Sequence, residues 1–141
     1  MSAARLSLIW SAAMALFGIV FWLYAALTLL VPAAFAPMGF MLAILGALLV
    51  LLMVVTGAMA GEANVARAWD EGVEHDSNRA HRFGFTVAWI VYLVAWLFLS
   101  RGWLTVDAAF PVMGAVTGGS YCIFMGMAGL RGWHDTRHAP D

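Results

Sequence analysis

Side chains able to hold a metal ion or move a proton are few in this sequence, and they cluster outside its apolar stretches. The four histidines are His75, His81, His134 and His138. His134 and His138 stand four apart, a spacing that puts both rings on one face of a helix, and Glu71 and His75 repeat it. Neutral imidazole with carboxylate suits zinc or a similar divalent ion. The competing expectation is a solvated tail, since Ala139-Pro140-Asp141 follows and the segment need not be helical. The single cysteine, Cys122, lies inside an apolar run, so no intramolecular disulfide and no cysteine-based zinc site is available. Deep polar atoms are otherwise hydroxyls: Thr28, Thr56, Thr86, Tyr92, Thr117, Ser120 and Tyr121. A helix satisfies Ser and Thr by bonding them back to its own carbonyls. Proton-coupled transport and mid-membrane haem ligation by histidine are therefore disfavoured.

The elements that must carry these residues are membrane spans. Of 141 residues 64% are apolar and 11% charged, and the mean hydropathy is +0.89, which excludes an ordinary soluble domain. Roughly 20 apolar residues cross a hydrocarbon core about 30 Å thick. Four stretches meet that length, at about 7–30, 38–60, 83–103 and 109–130. The expected fold is thus all-α, a single domain over 1–141, with four transmembrane helices in an up-down bundle of two hairpins. The first stretch is too long for the apolar core of a signal peptide, and Pro37 directly follows the Ala34-Phe35-Ala36 cleavage-like sequence. It is expected to remain as a span. Pro32 and Pro37 make the first connection a tight turn.

Arginine distribution gives an expected orientation. Arg5, Arg67, Arg79, Arg82, Arg131 and Arg137 fall on one side of a four-span chain and Arg101 alone on the other. Positive charge is retained in the cytoplasm, so both termini and the loop 61–82 are expected inside. Trp10, Trp103 and Trp133 lie near span ends, where the headgroup level suits them. With seven basic residues, eight acidic ones and a net charge of −1, no basic surface is available for nucleic acid.

Two spans carry patterned faces. In the third, Trp89, Trp96 and Trp103 recur every seven residues with Phe85 and Tyr92 nearby, a stripe suited to a flat lipid such as a quinone, to a neighbouring helix or to surrounding lipid. In the fourth, Gly114, Gly118, Cys122 and Gly126 recur every four residues, with Gly119 alongside. Small residues let helix backbones approach in lipid. The expected filler of that groove is the Trp89, Tyr92 and Trp96 face, or a second copy of the same span. A weak internal echo, Ala33 to Gly39 against Ala108 to Gly114, raises a duplicated hairpin with a two-fold axis along the membrane normal, against coincidence in an Ala/Gly/Met-rich chain.

The loop 61–82 is the longest polar stretch. Val65, Trp69 and Val73 recur every four residues, so a short amphipathic helix is expected to continue the second span, with Asp76 or Ser77 capping the third. From Asp70-Glu71 through Arg82, and in its four-span plan, the chain resembles several small bacterial inner-membrane proteins of unknown function. That resemblance implies an inner-membrane location and no catalytic residues.

Three function classes follow. The first is a non-enzymatic accessory or interaction protein, or a homo-oligomer, whose loop 61–82 meets a cytoplasmic or membrane protein partner. The second is a small transporter or channel for an apolar or neutral solute. The third is a cofactor or metal protein using the cytoplasmic histidines. Membrane lipid is a contact in every case, and the leading class calls for no cofactor.

Overall fold

The computed structural model describes residues 2–68 and 71–138, with the side chains of 71–75, 133 and 135–138 outside that description. The described residues form helices and turns with no strand: α1 (Ala3–Leu30), α2 (Pro32–Phe35), a 3-10 turn (Ala36–Gly39), α3 (Phe40–Ala60), α4 (Glu62–Ala68), α5 (Glu71–Ser100) and α6 (Val106–His138). Four apolar segments, within Ala3–Leu30, Pro32–Ala60, Asp76–Ser100 and Val106–Gly132, are long enough to cross a membrane. The chain is an all-α polytopic bundle.

Each reversal has a local cause. Pro32 opens α2 without an N–H to leave unsatisfied, and the Tyr24 hydroxyl donates to the Phe35 carbonyl at 2.9 Å, tying the turn back to α1. Helix α5 ends in a Schellman motif. Gly102 takes φ +69°, its N–H reaches the Leu99 carbonyl at 3.0 Å, and the Trp103 N–H reaches Phe98 at 2.9 Å. The Phe98 and Trp103 rings then meet edge to face with centroids 5.6 Å apart. This stops the third span at Ser100, three residues before the expected boundary.

The start of the third span also departs from expectation. Asp76 and Ser77 lie inside α5, which begins at Glu71, so neither caps it. Glu71, Glu74 and Asp76 instead fall in its first two turns, where the positive end of the helix dipole favours carboxylates. Of the expected loop helix, Val65 lies in α4, while Trp69 and the Val73 side chain are outside the described residues.

The helices do not share their contacts evenly. Helix α6 packs along α1 over most of its length, α5 flanks α6, and α3 touches α1 mainly near its C-terminal end. Spatial order is therefore α3, α1, α6, α5. A two-fold axis relating the hairpins would map the α1–α6 contact onto α3 and α5, yet these two make no comparable contact among the described residues. The packing does not follow the duplicated-hairpin expectation.

The α1–α6 seam is made of small residues spaced by sevens. Ser11, Gly18 and Ala25 of α1 face Gly126, Gly119 and Val112 of α6, which makes the two helices antiparallel and puts the start of α1 and the end of α6 on one side of the bundle. At the crossing, a side chain on Gly18 would stand 2.6 Å from the Gly119 carbonyl, and one on Gly119 would stand 3.0 Å from that of Gly18. Such backbone approach is what glycine permits between helices in lipid. Toward the termini, Leu6 and Trp10 pack with Ala60, Ala68, Met53 and Val65. Trp10 is 9% exposed and donates to the Thr56 hydroxyl at 2.8 Å, so it joins α1 to α3 and is not a headgroup anchor. Thr56 in turn donates to the Leu52 carbonyl at 2.6 Å.

Candidate functional site

The glycine pattern of α6 meets α1, not the tryptophan face of α5. Gly126 lies against Ala15 and Ser11, Gly129 against Ser11, Gly119 against Gly18 and Phe21, and Gly118 at ordinary contact distance from the Phe21 ring. Nothing lies within 4 Å of the direction a Gly114 side chain would take. Cys122 is half-buried with a free thiol. Helix geometry explains the split: residues four apart rotate by about 40° per step, so Gly114 and Gly126 point about 120° apart. Residues seven apart drift by only about 20°. The seam follows the second rule, and the expected ladder followed the first. Gly18, Ser11 and Ala25 were the missed half, visible in sequence as small residues seven apart in the first span.

Trp89, Tyr92 and Trp96 point outward, at 54%, 52% and 61% exposure, so they fill no glycine groove within the chain. Phe85, Trp89 and Tyr92 stack edge to face in succession. This aromatic face is available to lipid or another helix.

The histidines are dispersed. His81 Nδ1 is 2.7 Å from the Ser77 carbonyl, and its ring meets Tyr121 edge to face at 5.1 Å. His134 is exposed on α6. The side chains of His75, His138 and Glu71 are outside the described residues. Among the described residues no group of three His, Cys, Asp or Glu converges on a point.

Two cavities open toward the termini end. A cleft of about 740 Å³ lies among α1, α5 and α6, lined by Trp22, Arg79, Phe83, Ser120, Phe124 and Arg131 among others. Trp22 Nε1 donates to Ser120 Oγ at 3.2 Å, closing its deep end, and Phe83 stacks on Phe124 at 5.3 Å along the wall. Asp76 borders this cleft and also a smaller cavity of about 50 Å³ shared with Trp10, Ser11, Met14, Met53 and Met125. Among the described residues no buried side-chain polar atom lacks a hydrogen-bond partner. The arginines of the cleft entered the sequence reading only as topology markers, because nothing in a linear pattern says that Arg79 and Arg131 face one space.

A third feature is an open face on α3. Gly46 has nothing within 4 Å of its missing side chain, and Ala43, Ala47 and Val50 beside it are exposed. Comparison with family models, curated proteins and solved structures finds no match for this chain.

Proposed function

We propose that this chain is a non-enzymatic integral membrane interaction protein that associates through α3 with a second copy of itself. Gly46 carries the reading. A glycine in a helix interior costs about 0.8–1.0 kcal/mol relative to alanine, and within its own chain Gly46 repays nothing, since no atom approaches it. Ala43, about one turn before it, and Ala47, the next residue, extend the small surface. A shallow stripe of small residues is self-complementary, which suits the isologous contact of a two-fold dimer. The span is also the one its bundle holds least, with Leu49, Gly57 and Ala60 its only buried residues. Gly114 of α6 is open in the same way, but its helix is already held along most of its length by α1.

In this reading the bundle sits in a bacterial inner membrane with both termini and α4 in the cytoplasm. The six-to-one arginine split supports that orientation. Native mass in a mild detergent tests the association: the parent chain is expected as a dimer and Gly46→Leu as a monomer of unchanged helicity. A monomeric parent, or a Gly46→Leu variant that stays dimeric, overturns it. A partner of different mass in place of the second copy would make the chain an accessory subunit.

A further inference from the structure

The cleft between α1 and α5 combines a cationic mouth with an apolar interior. Arg79 lies four residues before Phe83, where the uncharged run of α5 begins, and Arg131 directly follows Leu130, where that of α6 ends, so both stand at headgroup depth if these runs span. Among the described residues no ion pair engages either guanidinium. Below them the walls are Phe83, Phe124 and Met127, and the floor is the Trp22–Ser120 contact, whose polar atoms already satisfy each other. From Arg131 to Ser120 is eleven residues of helix, about 16 Å at about 1.5 Å each. That is the depth of one leaflet, half of a core about 30 Å thick.

An occupant matched to this space is anionic at one end and apolar over one leaflet. We propose that the cleft binds one anionic phospholipid, its phosphate held by Arg79 and Arg131 and an acyl chain lying along Phe83, Phe124 and Met127 toward Trp22. Guanidinium groups suit phosphate because their planar donors engage its oxygens in pairs. Basic pockets between helices at a membrane interface hold lipid headgroups by the same charge complementarity. Asp76 at the cleft edge opposes the phosphate and, among the described lining residues, leaves a net charge of +1. Its removal therefore strengthens binding, a gain that misfolding does not produce.

The test is native mass spectrometry of the purified chain in a non-ionic detergent, titrated with phosphatidylglycerol or with phosphatidylcholine of the same acyl chains. One phosphatidylglycerol per chain is expected to survive activation that strips phosphatidylcholine. Arg79→Gln with Arg131→Gln is expected to weaken retention about 30-fold and Asp76→Asn to strengthen it about fivefold. Arg101→Gln, at the opposite end of the bundle, is expected to leave it unchanged. Equal retention of the two lipids, or a double variant that binds as the parent does, overturns the proposal. So does competition by soluble glycerol phosphate as effective as the lipid itself, since the apolar walls would then contribute nothing.

Discussion

Replacing Gly126 by alanine adds one methyl group at a point where α1 and α6 touch backbone to backbone. The new Cβ would stand 2.5 Å from the Ala15 amide nitrogen and 2.6 Å from the Ser11 carbonyl oxygen. Ordinary contact begins near 3.4 Å, so the helices must separate locally by about 0.9 Å. A gap of that order forfeits a quarter to a half of the dispersion attraction across it. For a patch the size of one buried leucine, about 50 atom pairs at about 0.15 kcal/mol each, the loss is about 2–4 kcal/mol. Alanine returns about 0.8–1.0 kcal/mol in helix propensity, leaving a net cost of about 1–3 kcal/mol. The same change at Gly114 meets nothing within 4 Å and keeps only the propensity gain. Gly126→Ala is therefore expected to destabilise and Gly114→Ala to be neutral or stabilising by up to about 1 kcal/mol. Reversible unfolding in mixed micelles, followed by tryptophan fluorescence, measures both. Equal shifts for the two variants would refute the seam as the source of bundle stability.

The remaining expectations concern a joint, a turn and the topology. Thr56→Val removes the acceptor of the Trp10 indole and is expected to cost about 0.6–1.7 kcal/mol in the same unfolding assay, the range for hydrogen bonds between membrane helices. A variant as stable as the parent would show that α1 and α3 are joined by packing alone. Gly102→Ala places a Cβ at φ +69° and is expected to cost about 1–2 kcal/mol, with Gly102→Asn milder. If alanine is accepted without loss, the Schellman motif does not hold the end of α5. In a Cys122→Ala background, Thr105→Cys is expected to react with an impermeant thiol reagent on intact cells and Ser77→Cys is not. The reverse pattern would invert the orientation.

What was legible in the sequence was whatever depends on chain length and composition. Four apolar stretches separated by prolines, a polar loop and an arginine-bearing turn require four helices, because lipid supplies no other partner for backbone N–H and C=O groups. Pairing of those helices was not legible by the same route. Gly114, Gly118, Cys122 and Gly126 were grouped by a spacing of four, which rotates around the helix, whereas the contact line runs through Gly119 and Gly126 at a spacing of seven. The mating residues Ser11 and Gly18 lie about a hundred positions away, and small residues are too frequent here for a one-chain pattern to select them. Trp10 shows the same limit. Its position near a span end suggested a headgroup anchor, and only the approach of Thr56 from α3 reveals a buried joint. Asp76 is a cap candidate in sequence because the apolar run begins after Arg82, but a helix continues wherever its backbone bonds are met, and α5 begins at Glu71, about three turns before that run. The cleft was invisible to sequence for the reason that makes it a site, namely that its arginines and its aromatic walls come from different helices.

Cysteine cross-linking of α3 in native membranes tests the central claim most directly. In a Cys122→Ala background, single cysteines at Ala43, Ala47 and Val50 lie on the exposed stripe beside Gly46, while Leu49 and Ala60 are buried in the bundle. The account predicts disulfide-linked dimers from the first three and none from the last two, a periodicity that a random collision of exposed thiols does not produce. Cross-linking at Leu93 on the exposed face of α5, equal to or stronger than that at Ala47, would contradict it and move the association surface away from α3.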